Sequence, residues 1–383
     1  MRPPLRLLAL VAILALVALV AILPGALNAQ GALSVQGYGY PTGQLGSASL
    51  ALGGSTGEID PSSALNPAAL SIPSRFSVYM QIQPEYRRTA VGGQAERSTT
   101  MRFPSFIVTG GSRRITAGLS ATTFLDRTWS NVYSDSQLVG GTLLPSVLAA
   151  SSNGAITDAR AAIAYWLNAS VQVGLGLHAL TGENRLSFGR SFPASTGVGG
   201  VEQLTTINYS GRAVSLGLVY LPTKVLVVGA SARLGGGMEA RQDALDLADA
   251  TVPDRVGVTL AYTGIPNTTI AARFDHTGWS SMRDLGTAQM SVFDANDVGI
   301  GLEVVGPRIA GAPSYARLGL RDRGLPFGVN GDKVGERSIS GGIAIPVARG
   351  RGQFDISLQR ASRSAAGAKE KALFLSVGLG IRP

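Results

Sequence analysis

Cysteine is absent from this sequence of 383 residues, and charged residues make up only 15% of it. An exported chain without cysteine has none of the disulfides that stabilise many secreted domains. The mean hydropathy is +0.21, so a soluble protein of this composition would have to bury an unusually large apolar fraction. The scarcity of charge indicates that lipid forms part of the solvent around this protein.

Apolar runs long enough to form a transmembrane helix are also lacking after residue 29. Before it, two arginines precede an apolar run from Leu7 to Leu23, followed by Pro24-Gly25 and a small-residue site around Ala29. This layout predicts a cleaved secretory signal peptide, residues 1–29. The alternative is an uncleaved membrane anchor, because the run approaches the length that spans a bilayer.

Apolar side chains instead alternate with small or polar ones in a series of segments. In the segment 171–177, valine and leucine at the odd positions are separated by glutamine and glycine. The same pattern recurs in the segments 214–220, 256–262, 298–304 and 373–381. A period of two is typical of a β-strand, and here one face of each strand suits hydrocarbon while the other does not.

A soluble β-sandwich would show the same period, so strand length and connections must decide. The segments run to about ten residues, the length of a tilted transmembrane strand, whereas globular strands average about five or six. Tight turns at 221–224, 264–267 and 349–352 alternate with long polar connections, as in outer-membrane barrels. We predict an all-β fold, a transmembrane antiparallel β-barrel of about 14 strands.

The predicted strands are 75–87, 99–110, 113–126, 156–167, 169–182, 204–220, 224–234, 252–263, 267–277, 296–305, 313–322, 336–348, 352–362 and 370–382. Four long segments are predicted to be loops at one end of the barrel: 127–155, 183–203, 235–251 and 278–295. A short helix is considered for 237–250.

The stretch LGGSTGEIDPSSALNPAALSIP, residues 52–73, has neither strand alternation nor a helical stripe. Irregular backbone occurs at membrane depth only inside protein or in a water-filled lumen. We therefore predict a hatch in the lumen, residues 30–74, followed by the barrel, residues 75–383. The alternative, a disordered periplasmic tail, is disfavoured by apolar residues. These are Leu50, Leu52, Ile59, Leu65, Leu70 and Ile72.

The stretch GSASLALGGSTGEIDPSSALNPAAL resembles the N-terminal signature of the FadL-type outer-membrane transporters of long-chain fatty acids and hydrocarbons. In that signature a glycine-rich run leads through an acidic residue, here Asp60, to an Asn-Pro-Ala box, here 66–68. The segments 252–285 and 316–359 are similar to that family's mid-barrel hairpin and late strands, including its PorV-like members. The chain departs from the pattern at Asp60-Pro61, at Ala69 and at its non-aromatic end, 381–383.

The resemblance implies a passive channel in the bacterial outer membrane, through which a hydrophobic solute leaves by a hatch movement or a lateral opening in the wall. It also implies a set of hatch or gate residues: Gly53, Gly54, Asp60, Asn66, Pro67, Ala68 and Leu70.

A carboxylate head would need a basic partner, and the formal net charge of +9 falls to +7 when the two arginines of the signal are removed. Arg233, Arg273 and Arg317 lie inside strand segments and are the candidate substrate-binding residues. The alternative is that each lies at the membrane rim and contacts anionic lipid.

Signatures of enzymes and of nucleic-acid binding are missing. His178 and His276 are the only histidines, and neither has a cysteine or carboxylate pattern of metal-ligand spacing. The glycine-rich segments complete neither a nucleophile elbow nor a dinucleotide fingerprint. Basic residues are scattered rather than clustered. We expect no enzymatic activity, no cofactor, no metal and no nucleic-acid partner.

Two functions remain. The first is uptake of a hydrophobic small-molecule ligand such as a long-chain fatty acid, by a barrel that is a monomer surrounded by outer-membrane lipid. The second is a PorV-like barrel for protein secretion or interaction, with a protein partner at the extracellular loops. A transporter predicts apolar pockets in the lumen, whereas an interaction barrel predicts a packed lumen and an apolar loop surface. The apolar run 139–151 fits either function.

Overall fold

The computed structural model describes residues 38–70, 76–91, 94–112, 114–285, 291–309 and 311–382. Across these residues, fourteen strands form one antiparallel sheet in which each strand pairs with the next and the last pairs with the first. The predicted transmembrane β-barrel is therefore confirmed. The predicted signal peptide, residues 1–29, and the two ends of the predicted hatch, 30–37 and 71–74, lie outside the described residues.

All fourteen predicted strands are found at their predicted places. They are β1 Phe76–Val91, β2 Gln94–Gly111, β3 Ile115–Asp126, β4 Thr142–Trp166, β5 Val171–Ser191, β6 Val201–Thr223, β7 Leu226–Gln242, β8 Arg255–Ile265, β9 Thr268–Thr277, β10 Ala295–Ile309, β11 Ala312–Val329, β12 Asp332–Val347, β13 Gly352–Ala365 and β14 Ala368–Ile381. A segment Trp129–Val139 continues β3, and a segment Leu245–Thr251 precedes β8.

Three of the four predicted loops are wrong, because 127–155, 183–203 and 235–251 are mostly strand. The helix considered for 237–250 is wrong as well, since β7 pairs there with Leu245–Thr251. At about 3.3 Å per residue, the 25 residues of β4 are far longer than the hydrocarbon core of about 30 Å. Outside lipid neither face of a strand has to be uniformly apolar, so these extensions lack the regular alternation that marks the membrane-spanning part.

The outer surface of the barrel carries the alternating apolar side chains. In β5, Leu175 and Leu177 are 42% and 58% exposed, whereas His178, on the inner face, is 7% exposed. In β8, Val256 and Val258 are exposed in the same way. A closed, even-stranded antiparallel barrel with an apolar outer face is an outer-membrane barrel, since closure pairs most of the strand edges that would otherwise face lipid. No helix in the described ranges has the length and apolar character needed to cross a bilayer.

The two ends of the barrel differ. One end has tight turns between short strand ends, among them 224–225 and 266–267, and it also holds the start of β1 and the end of β14. The other end carries the strand extensions. Short turns are periplasmic in outer-membrane barrels, so the extended end is extracellular.

The segment 38–70, which we call the hatch, lies against the inner faces of strands from around the barrel. It contains a short strand Tyr40–Pro41, helix α1 Ser47–Ala51 and a 3₁₀ turn Pro67–Leu70. Nearly all of its side chains are buried. Toward the extracellular end, the hatch meets a buried apolar cluster to which the loop between β9 and β10 contributes. Its large members include Tyr38, Phe124, Leu180, Trp279, Met282, Phe327 and Phe374.

Candidate functional site: the plugged lumen and a gap in the wall

Glycines let the hatch backbone lie directly on the barrel wall. Gly53 has φ +64°, and a Cβ added there would come within 2.4 Å of the Leu320 carbonyl oxygen. A Cβ on the wall residue Gly319 would come within 2.0 Å of the Gly53 nitrogen. The adjacent Gly54 has φ +81°. Only glycine permits this approach of two backbones, so the predicted gate residue Gly53 lies in a tight contact with β11, and Gly54 beside it allows the positive φ of this turn.

Asn66 ties the Asn-Pro-Ala box to the wall. Its side-chain amide donates to the Glu58 carbonyl at 2.7 Å and to the Leu218 carbonyl of β6 at 3.0 Å. Its side-chain oxygen accepts the Ala68 N–H at 2.8 Å, which holds the turn that begins at Pro67.

The other two predicted gate residues have different roles. Asp60 accepts hydrogen bonds from the Ser49 and Ser63 hydroxyls, both at 2.9 Å, so it folds the hatch onto itself rather than onto the wall. Leu70 is buried against Ala162 and Ala164 on the inner face of β4.

Replacing Gly217 by alanine should unseat the Asn-Pro-Ala box. A Cβ at Gly217 would come within 1.9 Å of the Asn66 side-chain oxygen and 2.7 Å of the Ala68 nitrogen. We expect Gly217→Ala to make Asn66 and its neighbours accessible from the periplasmic side, measured by proteolysis of the hatch in the folded barrel. Gly335→Ala is the matched control, because a Cβ there meets no atom within 4 Å. Equal protection of the hatch in both variants would contradict this docking.

Glu58 is a further hatch residue at the wall that the sequence analysis missed. Its carboxylate accepts the Ser231 hydroxyl at 2.6 Å, pairs with Arg255 and lies 3.6 Å from Arg273. Burial alone would raise the pKa of Glu58, but Arg255, Arg273 and Ser231 outweigh burial and hold it below its usual value of 4.5.

The depressed pKa of Glu58 predicts a pH dependence of hatch docking. A carboxylate whose folded pKa is lowered stabilises the docked state fully above its unfolded pKa, and this contribution is lost as the pH falls below that value. We expect hatch protection against proteolysis to decrease below about pH 4.5. Glu58→Gln should weaken docking at neutral pH and flatten the pH profile. An unchanged profile in that variant would assign the pH dependence to other carboxylates.

The cavity beside this ion pair is small and is lined by several charged side chains. Its volume is about 60 Å³, and it lies between the hatch, Phe124 and Trp279. Its charged lining consists of Arg233, Arg255, Arg273, Arg321, Arg323, Asp275 and Asp297. An apolar cavity of about 150 Å³ binds benzene, whereas a cavity of about 60 Å³ with charged walls has room for only a few water molecules. In this conformation the cavity is too small for a hydrocarbon.

Of the three candidate substrate-binding arginines, the structure brings two together. Arg233 and Arg273 both line the cavity. Arg273 pairs with Asp275 at 3.0 Å and Asp297 at 3.1 Å, whereas Arg233 hydrogen-bonds the Pro253 carbonyl and lies over the Phe124 ring. Arg317 lies elsewhere and pairs with Glu303 at 2.6 Å and with Asp355.

A larger network of buried ion pairs adjoins the cavity. It joins Arg87, Arg102, Arg323 and Arg363 to Glu85, Glu336, Glu370 and Asp126. The sequence analysis missed it, because its members are contributed by seven strands. Paired charges of this density make the lumen a polar barrier to an apolar solute.

The two histidines lie in ordinary hydrogen bonds. His178 contacts Asp158 through Nδ1 and the Ser215 hydroxyl through Nε2, both at 2.8 Å. Gln44 of the hatch donates to the same aspartate at 2.8 Å. Ser215 is 2% exposed, so its hydroxyl is closed to a substrate here. His276 contacts the Asn296 side chain at 2.7 Å.

The wall is interrupted between β2 and β3. Their ladder runs from the pair Gly111 and Thr116 to the pair Ser105 and Thr122, and it stops there. The next residue of β2 is Pro104, which has no N–H to donate to a neighbouring strand. Beyond it, within the described residues, 94–104 of β2 pair only with β1, and the continuation of β3 pairs only with β4. We call this interruption the wall gap.

The hatch fills part of the wall gap from inside. Tyr40 and Pro41 pair with Asp126 and Leu125 at the edge of β3 that β2 leaves free. Asp126 also accepts the Arg102 guanidinium of β2 at 2.5 Å. The hatch, β2 and β3 therefore meet at one point in the extracellular half of the wall.

These features define a plugged outer-membrane barrel with a gap in its side. No family model matches the sequence, and no curated protein matches it. Solved structures share the fold at low identity. A Pseudomonas aeruginosa FadL homologue has a TM-score of 0.58 at 13% identity, over 90% of this chain and 99% of that one.

Two named proteins share the fold as well. The Pseudomonas putida toluene transporter TodX has a TM-score of 0.57 at 14% identity, over 89% of this chain and 99% of its own. The monoaromatic hydrocarbon channel CymD has a TM-score of 0.57 at 14% identity, over 88% of this chain and 97% of its own. Neither is an enzyme. The predicted likeness to the FadL-type fold is confirmed.

Proposed function

We propose that this chain is an outer-membrane channel for the passive uptake of hydrophobic small molecules such as long-chain fatty acids. The wall gap is the observation that carries the proposal. An apolar solute that reaches the gap from inside can pass sideways into lipid, and it never has to cross the polar hatch contacts below. Each buried methylene contributes about 0.8 kcal/mol, so several of them give useful affinity for an apolar surface.

The route begins at the extracellular end. There the apolar cluster around Trp279, Met282 and Phe327 offers contacts that replace those a hydrophobic solute loses on leaving its carrier or membrane. The same cluster includes Phe124 and Leu125, which lie next to the wall gap. The cluster thus connects the mouth of the barrel to the opening in its side.

Passage requires the hatch to move. The cavity of about 60 Å³ is smaller than the solute, and the hatch strand Tyr40–Pro41 occupies the inner side of the wall gap. The gate residues that hold the hatch to the wall are Gly53, Gly54, Asn66, Pro67, Ala68 and Leu70, and Asp60 keeps the hatch folded as it moves.

Arg233 is the proposed partner of a carboxylate head. It lines the cavity, and its contacts there are a backbone carbonyl and an aromatic ring rather than an acidic side chain. We expect Arg233→Gln to weaken fatty-acid binding about tenfold or more and to leave binding of the methyl ester unchanged. Binding to the purified barrel in detergent measures both. If Arg317→Gln gave this selective loss instead, the head would bind outside the cavity.

Native mass spectrometry of the purified, detergent-solubilised protein tests the function itself. Solvent extraction of the same sample identifies any small molecule that co-purifies. We expect a bound fatty acid or hydrocarbon, and its loss from a Gly217→Ala barrel but not from Gly335→Ala. An empty barrel that takes up no hydrophobic compound on addition would contradict the proposal.

A second candidate function is a protein-interaction barrel. The packed lumen favours it, as do apolar side chains on the extracellular extensions. Leu143 and Val201 are 65% and 70% exposed there, and Leu138 and Leu204 are similar. Part of this surface is the run 139–151, which forms a hairpin rather than the predicted loop. A polypeptide retained in the native mass spectrum, and lost when Leu143 and Leu204 are changed to serine, would support this function.

A further inference from the structure

Tyr40 of the hatch sits in a cage of three guanidinium groups. Its ring centroid is 4.9 Å from the guanidinium carbons of Arg102 and Arg323 and 4.7 Å from that of Arg363. The Phe374 ring stacks beside it, with centroids 6.2 Å apart and an interplanar angle of 22°. A cation within about 6 Å of a ring face is attracted to it, so the cage recognises an aromatic ring as such.

The cage also recognises the hydroxyl of that ring. The Tyr40 hydroxyl donates to Glu336 Oε2 at 3.1 Å and accepts a hydrogen bond from the Arg323 guanidinium. Burial, together with Glu336, raises the pKa of Tyr40 against the opposing effect of the arginines, so the group stays a neutral phenol. A group that fits here must both donate and accept at the same atom.

The ion pairs that form the walls of the cage involve no hatch residue, although Arg323 also donates to the Pro41 carbonyl of the hatch at 3.1 Å. Arg363 is held by Glu85 at 3.0 Å and Glu336 at 2.6 Å, and Arg323 is held by Glu336 at 2.7 Å. Arg102 is held by Asp126 of β3. All of these residues belong to the barrel. If the hatch strand withdraws, the cage therefore keeps its arginines and its hydrogen-bonding groups, and it is left with a space the shape of a phenol.

We propose that Tyr40 is a built-in ligand in a binding site for phenolic compounds, and that a phenolic solute opens the wall gap by taking the place of Tyr40. The proposal rests on the channel function proposed above and names a substrate class for it. Tyr40–Pro41 is the hatch strand that lies at the wall gap, so displacement of this side chain frees the inner side of the opening.

The chemistry of the cage selects phenols over related compounds. Benzene would leave the Glu336 carboxylate and the Arg323 guanidinium without their shared partner. Benzoate would bring a second negative charge against Glu336. A buried group deprived of its hydrogen bond carries the full cost of its desolvation, so both should bind more weakly than phenol.

The first test uses the purified full-length barrel carrying Tyr40→Ala, which removes a phenol from the cage. Isothermal titration with phenol, benzene and benzoate gives the three affinities. We expect phenol to bind about 10- to 100-fold more tightly than benzene, as hydrogen bonds to charged groups imply, and more tightly than benzoate, which has no hydrogen to donate to Glu336. Equal binding of phenol and benzene would overturn the proposal.

The second test keeps the Tyr40 ring in the cage and asks whether phenol displaces it. The chain has no cysteine, so Thr42→Cys places a single thiol two residues from Tyr40. We expect phenol, but not benzene, to increase its labelling by a water-soluble maleimide, and an added Tyr40→Phe change to lower the required phenol concentration about tenfold. If phenol did not change the labelling rate in Thr42→Cys, either with or without Tyr40→Phe, the proposal would be overturned. These readouts are independent of uptake, so a barrel that binds phenol yet carries no hydrophobic solute would contradict the channel function alone.

Discussion

Uptake of hydrophobic compounds is expected to stop when the hatch is locked to the wall by one disulfide. The hydroxyl oxygens of Ser47, in α1, and Ser376, in β14, are 2.7 Å apart. A double variant, Ser47→Cys with Ser376→Cys, therefore places two thiols close enough to be oxidised to a disulfide, and no native cysteine competes with them. Because the cavity cannot hold the solute while the hatch is docked, we expect oxidation to abolish uptake and reduction to restore it.

The matched control is a disulfide between two strands of the wall that are already paired, so it does not restrict the hatch. Ser77 and Thr109 are cross-strand neighbours in β1 and β2, and their side-chain oxygens are 2.8 Å apart. Ser77→Cys with Thr109→Cys should leave uptake unchanged under oxidation, because those strands are already paired. Uptake that persists in the oxidised Ser47 and Ser376 variant would mean that α1 stays docked to the wall while the solute passes.

Loss of Arg363 should cause a large loss of stability of the barrel. Its side chain is 0% exposed and pairs with Glu85, Glu336 and Glu370. Arg363→Met removes the cation and leaves these buried carboxylates under-compensated, which typically costs about 3–5 kcal/mol. Urea unfolding in lipid vesicles measures the free energy of unfolding.

Arg337→Met is the comparison for that measurement. Arg337 pairs with Asp322 at 2.9 Å, but the two side chains are 84% and 60% exposed. Exposed pairs contribute little, so its unfolding curve should match that of the wild type. Similar losses in the two variants would show that the Arg363 network does not hold the barrel together.

The strands were predictable because lipid imposes a strict pattern on them. A residue such as Leu177 must face hydrocarbon and His178 must not, and this constraint repeats along every transmembrane strand. The extensions escaped prediction for the opposite reason. Beyond the membrane, the pairing of β4 with β5 continues through Ser151 and Ser187, where neither face is selected for lipid.

The site was only partly predictable. The box at Asn66 and the glycines of the hatch carry a local signature, and they lie at the wall. The charge network has no local signature, since Glu85 and Arg363 come from opposite ends of the sequence and meet only when β14 closes on β1. The alternation of inward and outward positions along a strand does indicate part of this network. Arg321 and Arg323 lie at the inward positions of β11, around the outward Asp322, so they had to be paired in the lumen.

One residue in the sequence, Pro104, indicates the wall gap. Pro104 stands inside a strand pattern, where a proline ends pairing on one side. The pattern alone did not show which neighbour would be lost, because that depends on the pairing of β1 with β2, which continues past this proline.

The most direct test of the account is the initial rate of uptake of radiolabelled oleate and toluene by cells that lack other such channels, with and without this barrel. The account predicts that wild-type protein raises the rate for at least one of these compounds, and that the oxidised Ser47→Cys and Ser376→Cys barrel, present in equal amount in the outer membrane, does not. Equal rates with and without the wild-type barrel would contradict it.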